Sequence, residues 1–135
     1  FTSKLTTPYI TVLPGKNTLF QPLYVGDVAA LIEESLDDKY SGQKFEIGGP
    51  EKLSLGEIAR KIESSKGRIL KVIGLPMLLF GLAMSVSDKI PASPFGIDQY
   101  RSLKKDNVTE SNQIEQLGFG EKDLKKLGEY LGLGR

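Results

Sequence analysis

Tyr100 and Lys104 stand four residues apart, so one helical turn would bring a phenol beside an ammonium group. A neighbouring lysine is what a tyrosine needs to reach the phenolate and pass protons in dehydrogenase chemistry. Two carboxylate pairs, Glu33-Glu34 and Asp37-Asp38, are the other arrangement with catalytic use, since paired acids can divide the work of proton donor and base. Each has a plainer reading that outweighs it. Tyr and Lys at this spacing are common on helix surfaces, and the four acids lie on the polar side and end of an amphipathic helix. The lysines of Lys122–Lys126 alternate with Glu121 and Asp123, a pattern of surface ion pairs rather than of phosphate binding.

The rest of the composition narrows the chemistry further. The 135 residues contain no His and no Cys. That removes imidazole bases, thiolate nucleophiles, disulfides and the usual zinc ligands, leaving Asp, Glu, Lys, Tyr, Ser and Thr. Lys and Arg number 18 against 17 Asp and Glu, so no net field recruits nucleic acid or anionic lipid. The length fits one domain. No metal ligand set emerges, and neither G-x-G-x-x-G nor G-x-x-x-x-G-K-[ST] occurs. Gly48-Gly49-Pro50 follows an extended stretch but lacks the third glycine and reads as a turn. Phe1–Thr7 has neither the charged start nor the apolar run of a signal peptide, and the chain is expected to be a piece of a longer polypeptide.

The elements that would position these groups follow from periodicity. Thr2–Thr7 reads as the last turn of a helix stopped by Pro8, and Tyr9–Leu13 as a β-branched strand before a Pro14-Gly15 turn. Thr18–Tyr24 is a second extended stretch, its Pro22 leading into a helix over Val25–Leu36 with Val25, Val28, Ala29, Ile32 and Leu36 as its apolar stripe. Asp27 falls in that helix's first turn. Lys44–Ile47 reads as a short strand. Ser54 and Glu57 form the capping box of a helix over Leu53–Ser65, with Leu55, Ile58, Ala59 and Ile62 buried. Arg68–Ile73 is a strand leading to Pro76.

Residues 72–87 carry no charge, but at 16 residues with Gly74, Pro76 and Gly81 among them the run is too short to span a membrane. It is expected to be a buried or groove-forming helix. A proline-punctuated loop follows at Ile90–Phe95, with Ser93 and Pro94 opening a helix that runs over Ile97–Lys105. Asp106-Asn107-Val108 is a turn, Glu110–Leu117 a short helix halted at Gly118, and Glu121–Leu131 a final amphipathic helix on Leu124, Leu127 and Leu131.

Taken in order, Phe20–Ala30 (FQPLYVGDVAA), Phe45–Glu51 (FEIGGPE), Leu53–Ile62 (LSLGEIARKI) and Gly74-Leu75-Pro76 resemble the C-terminal part of extended short-chain dehydrogenase/reductase proteins of the NAD-dependent epimerase/dehydratase group. Gln21-Pro22, the Gly-Leu-Pro before an apolar helix, and Asp106-Asn107-Val108 are similar to the atypical, NDUFA-nine-like branch of complex I accessory subunits. The resemblance implies an α/β fold, the helix-rich C-terminal part of a Rossmann-type protein with a few short strands and about five helices. It places the dinucleotide loop and the Tyr-x-x-x-Lys pair upstream of Phe1, so no catalytic or cofactor-binding residue is assigned in this chain. NAD(P) is expected for the full-length parent.

Gln21 and Tyr24 are then candidates for the substrate crevice, while Asp27, Ser54 and Glu57 are structural helix caps; the loop Asp88–Phe95 would line a substrate or partner surface. The function implied is the substrate-side region of an NAD(P)-dependent epimerase/dehydratase-like oxidoreductase, the piece itself being non-catalytic. The alternatives are a non-catalytic nucleotide-binding accessory or assembly subunit of a respiratory or quinone-related complex, and a self-contained small helical binding module. Expected partners are its own N-terminal Rossmann part, a second copy of the piece, and a complex docked through residues 72–87. The expected location is cytoplasmic in a bacterium or the mitochondrial matrix in a eukaryote, with no membrane span and no nucleic acid.

Overall fold

The computed structural model describes residues 9–87 and 101–133. The readings that fall on residues 1–8 and 88–100 lie outside this range: the helix end at Thr2–Thr7, the loop at Asp88–Phe95, the Ser93-Pro94 helix start, most of the helix over Ile97–Lys105, and Tyr100 of the Tyr–Lys pair. Within it the chain is a mixed α/β protein with helices among a few short strands in small sheets. It divides into two compact units. One is formed by residues up to Leu19 together with Ser54–Asp106, the other by Phe20–Leu53 with Asn107 onward.

The first unit is built on two parallel strands. β1 (Tyr9–Pro14) and β4 (Leu70–Leu75) pair from Tyr9 opposite Leu70 to Pro14 opposite Leu75. Parallel strands need a crossover between them, and the helix α2 (Leu55–Ser65) lies in that connection and packs on β4. Its face of Leu55, Ile58, Ala59 and Ile62 is half-buried. Gly15 takes φ +62°, the left-handed conformation that ends β1 in a tight turn. Beyond Pro76 runs α3 (Met77–Ser87), whose start carries Phe80 inward at 7% exposure. Of the two expectations for this run, a buried or a groove-forming helix, the buried one is corrected here. Leu78, Leu79 and Leu82 are exposed, and the strand pair and α2 among the described residues do not cover them.

The second unit closes around its own core. Leu31, Ile114, Leu117 and Leu124 are buried, with Leu23, Tyr40, Phe45, Ile47 and Phe119 packed against them. Leu31 comes from α1 (Val25–Ser35). The expected stripe does not face this core: Val25, Ala29, Ile32 and Leu36 are exposed, Val28 is half-buried, and Leu31 takes the inward position. At about 100° per residue the four exposed side chains share an arc of about 60°, and Leu31 lies about 100° or more away from it.

Lys44–Ile47, expected as a short strand, joins no ladder among the described residues. Its Glu46 is held by Gln113 instead, through Glu46 N–H to Gln113 Oε1 (2.8 Å) and Gln113 N–H to the Glu46 carbonyl (2.9 Å). The single final helix expected over Glu121–Leu131 is split. A 3₁₀ turn at Glu121–Asp123 and the short α4 (Leu127–Tyr130) flank Leu124, which is extended (φ −92°, ψ 138°). Burying Leu124 and donating the Lys125 N–H to Asp27 fixes an extended link where helical periodicity alone would continue. β2 (Leu19–Phe20) and β3 (Leu53–Ser54) make a second two-stranded sheet.

Candidate functional site

The second unit brings several polar side chains onto backbone. Gln21 follows β2, where Pro22 cannot continue a ladder, and its side-chain amide is used at both ends. Nε2 donates to the Gly49 carbonyl at 2.8 Å, and Oε1 accepts the Thr109 N–H at 3.0 Å. Thr109 is buried at 6% exposure, and its Oγ1 accepts the Ser111 N–H. Asn112 completes the clamp: Oδ1 accepts the Gly48 N–H (3.1 Å) and Nδ2 donates to the Gly48 carbonyl (3.0 Å). Gly49 donates to the Gln21 carbonyl at 3.3 Å, and a Cβ at Gly49 would overlap the Pro22 carbonyl, so the close approach requires glycine.

This arrangement bears on two sequence readings. Both ends of the Gln21 amide are committed to backbone, where an unpaired group is costly, so its polar atoms are already used within the fold. Gly48-Gly49 has its N–H groups occupied by Asn112 and Gln21, so it does not offer the free donors that cradle a dinucleotide phosphate. Thr109 and Asn112 were not singled out from sequence. Neither carries a local motif, and they act only because the chain returns beside Gln21 some 90 residues later.

Tyr24 does line a cavity. It precedes α1, with φ −67° and ψ 135°, and stands at the helix N-cap without donating or accepting a side-chain cap bond. Its ring and that of Tyr130 lie 5.6 Å apart at a tilt of 41°, within the range of favourable aromatic pairs. Lys125 Nζ sits over both, 4.8 Å from the Tyr24 centroid and 6.0 Å from that of Tyr130, a cation–π placement. With Pro22, Leu23, Val25 and Leu127 these side chains bound a cavity of about 260 Å³. Ligand pockets for drug-sized molecules run from about 300 to 1,000 Å³, so this socket suits one or two apolar side chains better. Lys125 and Tyr130 escaped the sequence reading because they become neighbours of Tyr24 only when Leu124–Lys126 straightens.

Asp27 is corrected as a cap. It occupies the first turn of α1, but its Oδ2 accepts the Lys125 N–H at 2.7 Å, tying the C-terminal segment to the helix start instead of closing its own helix. The first-turn N–H groups still favour a carboxylate there.

Ser54 and Glu57, in the first unit, form a reciprocal capping box. Ser54 Oγ accepts the Glu57 N–H (3.3 Å), and Glu57 Oε2 accepts both the Ser54 N–H (2.8 Å) and the Ser54 hydroxyl (2.6 Å). Those two donors, the hydroxyl first, hold the Glu57 carboxyl below the usual range.

At the other end of α1 the acids gather around one lysine. Lys39 Nζ lies 3.1 Å from Glu34 and 3.2 Å from Asp37, which raises the Lys39 pKa, chiefly through Glu34. Asp37 is lowered by the Lys39 N–H and then by its ammonium. This is a solvated ion-pair cluster, and among the described residues no three acidic side chains converge as a metal site requires. None of the described helices is long and apolar enough to cross a membrane.

No protein-family model matches the chain. Over 118 residues it is 30% identical to NADH dehydrogenase (ubiquinone) 1 alpha subcomplex subunit 9, mitochondrial, of Arabidopsis thaliana, a match covering 79% of this chain and 29% of that protein. The two are distantly related, and the chain spans less than a third of its relative's length.

Proposed function

We propose that this chain is the C-terminal, substrate-side region of a Rossmann-type protein of the epimerase/dehydratase kind, serving as a non-catalytic accessory or assembly subunit of a respiratory or quinone-related complex. The observation that carries the reading is the sheet of the first unit. Parallel strands are normally covered on both faces and flanked by further strands. Here Tyr9, Ile10, Val12, Ile69 and Ile73 are exposed on and beside a sheet that has two strands among the described residues. Such a surface asks for further polypeptide to pair with it and cover it.

The similarity to a protein named as a mitochondrial NADH dehydrogenase subunit supports membership of a complex and a mitochondrial location in a eukaryote. The crevice candidate Gln21 points the same way, since its amide is spent on holding backbone. In this reading a nicotinamide nucleotide is held by polypeptide outside these residues, and the uncharged run 72–87, which contains α3, contributes docking surface through Leu78, Leu79 and Leu82.

The oxidoreductase reading keeps one observation in its favour, the exposure of Tyr24 to a concave socket. Native-gel separation of respiratory extracts, probed with an antibody to this chain, distinguishes the two. Migration in a high-mass band with NADH dehydrogenase activity supports the accessory role. Migration as a free protein that turns over a sugar nucleotide or quinone-type substrate would sink it.

A further inference from the structure

The outward face of α1 has the geometry of a helix-pairing seam. Val25, Ala29, Ile32 and Leu36 are spaced by four, three and four residues, the alternation by which one helix packs along another. Val25 is 75% exposed, Ile32 55% and Leu36 77%, although the core of the same unit is only one helix radius away and takes Leu31. Scattered exposed apolar residues are ordinary; four on a narrow arc, running about 16 Å along the helix, are a surface.

The two ends of the seam differ. At the Val25 end lies the Tyr24–Tyr130 socket of about 260 Å³, roofed by Lys125 and followed by Lys126. Neither lysine is in a salt bridge among the described residues. At the Leu36 end stand Glu33, Glu34, Asp37 and Asp38 against the single cation Lys39.

We propose that this seam is an isologous interface between two copies of the chain, with α1 antiparallel to α1 of the second copy. The midpoint between Val25 and Leu36 is also the midpoint between Ala29 and Ile32. A two-fold axis there sets Val25 against Leu36 and the small Ala29 against the large Ile32, twice over. The same axis delivers each Leu36 to the other copy's aromatic socket, whose volume suits such a side chain. It also lays the acidic end of each α1 beside Lys125 and Lys126 of its partner. Parallel pairing would bring like charges together at both ends, a repulsive arrangement. The occupant is therefore a second copy, selected by shape and charge that complement each other only under reversal.

Sedimentation of the whole 135-residue chain, from about 5 to about 200 µM, reads the equilibrium directly. A monomer–dimer equilibrium is expected, weakened about tenfold or more by Leu36→Glu. Two charge variants on exposed positions give the sharper test. Lys125→Glu with Lys126→Glu leaves both ends acidic, and Glu33→Lys with Asp38→Lys leaves both ends basic. Each should be monomeric alone, and an equimolar mixture should dimerise again, which a folding defect would not allow. A wild-type chain that stays monomeric throughout overturns the proposal. So does a dimer indifferent to Leu36→Glu and lost instead on Val12→Lys, which would assign the contact to the sheet edge.

Discussion

The two units solve the same problem with unequal means. The unit of Phe20–Leu53 and Asn107–Leu133 buries Leu31, Ile114, Leu117 and Leu124 and satisfies its buried backbone with Gln21, Thr109 and Asn112. The unit of Tyr9–Leu19 and Ser54–Asp106 has more regular secondary structure but hides little of its apolar surface: Phe80 is its buried hydrophobic side chain among the described residues, while Ile10, Val12, Ile73 and Leu78 stay exposed. Regular elements and a closed core are thus separable properties. A strand pair and two helices can form from local pattern and crossover geometry, yet need further surface to cover them.

The largest effect that would test this contrast lies in the cores. Leu31→Ala should cost about 3 kcal/mol in denaturant unfolding, because a fully enclosed leucine leaves a cavity. Leu78→Ala, at 75% exposure, should stay within about 0.5 kcal/mol. Equal losses would mean that the open unit is closed in solution. Next comes the polar clamp. Gln21→Ala strands the Gly49 carbonyl and the Thr109 N–H, a loss of about 2 kcal/mol by the cost of unpaired buried groups. If Gln21 instead served a ligand, the same variant would leave stability unchanged.

A smaller effect belongs to the open unit. Ser54→Ala removes the cap of α2 and should cost about 1 kcal/mol. Part of what it removes depends on pH. Glu57 has a folded-state pKa below its ordinary value, so its contribution is present above the unfolded pKa and lost as pH falls through the folded one. The gap between wild type and Ser54→Ala, followed by unfolding at stepped pH, should therefore narrow on the acid side. A gap that widens there would reject the carboxylate's part in the box. Asp37 and Glu63 are lowered as well, so both proteins lose some stability in acid independently of Ser54.

What could be read from sequence divides along the same line. The α2 capping box, the strands at Tyr9 and Leu70, and the helix after Val25 are written in short-range pattern, and the mixed α/β class follows from them. Which face of α1 turns inward is not written there. The stripe of Val25, Val28, Ala29, Ile32 and Leu36 predicts one face, and the long-range return of Ile114, Leu117 and Leu124 selects another through Leu31. The break at Leu124 is invisible for a related reason, since leucines in helical register describe a helix until the Asp27 carboxylate claims the Lys125 N–H. The site residues show the same limit. Gln21 and Tyr24 were legible as a place, the end of an extended stretch, but their partners Thr109, Lys125 and Tyr130 come from residues about 90 or more positions away.

The central claim is that the first unit's sheet is a surface awaiting other polypeptide, whereas the second unit closes a buried core of its own. Hydrogen exchange of the backbone amides in the free chain tests it most directly. The account predicts slow exchange for amides around Leu31 and Ile114–Leu117, and fast exchange along β1 and β4. Protection of β1 and β4 equal to that of the Leu31 core, in the free monomeric chain, would contradict it.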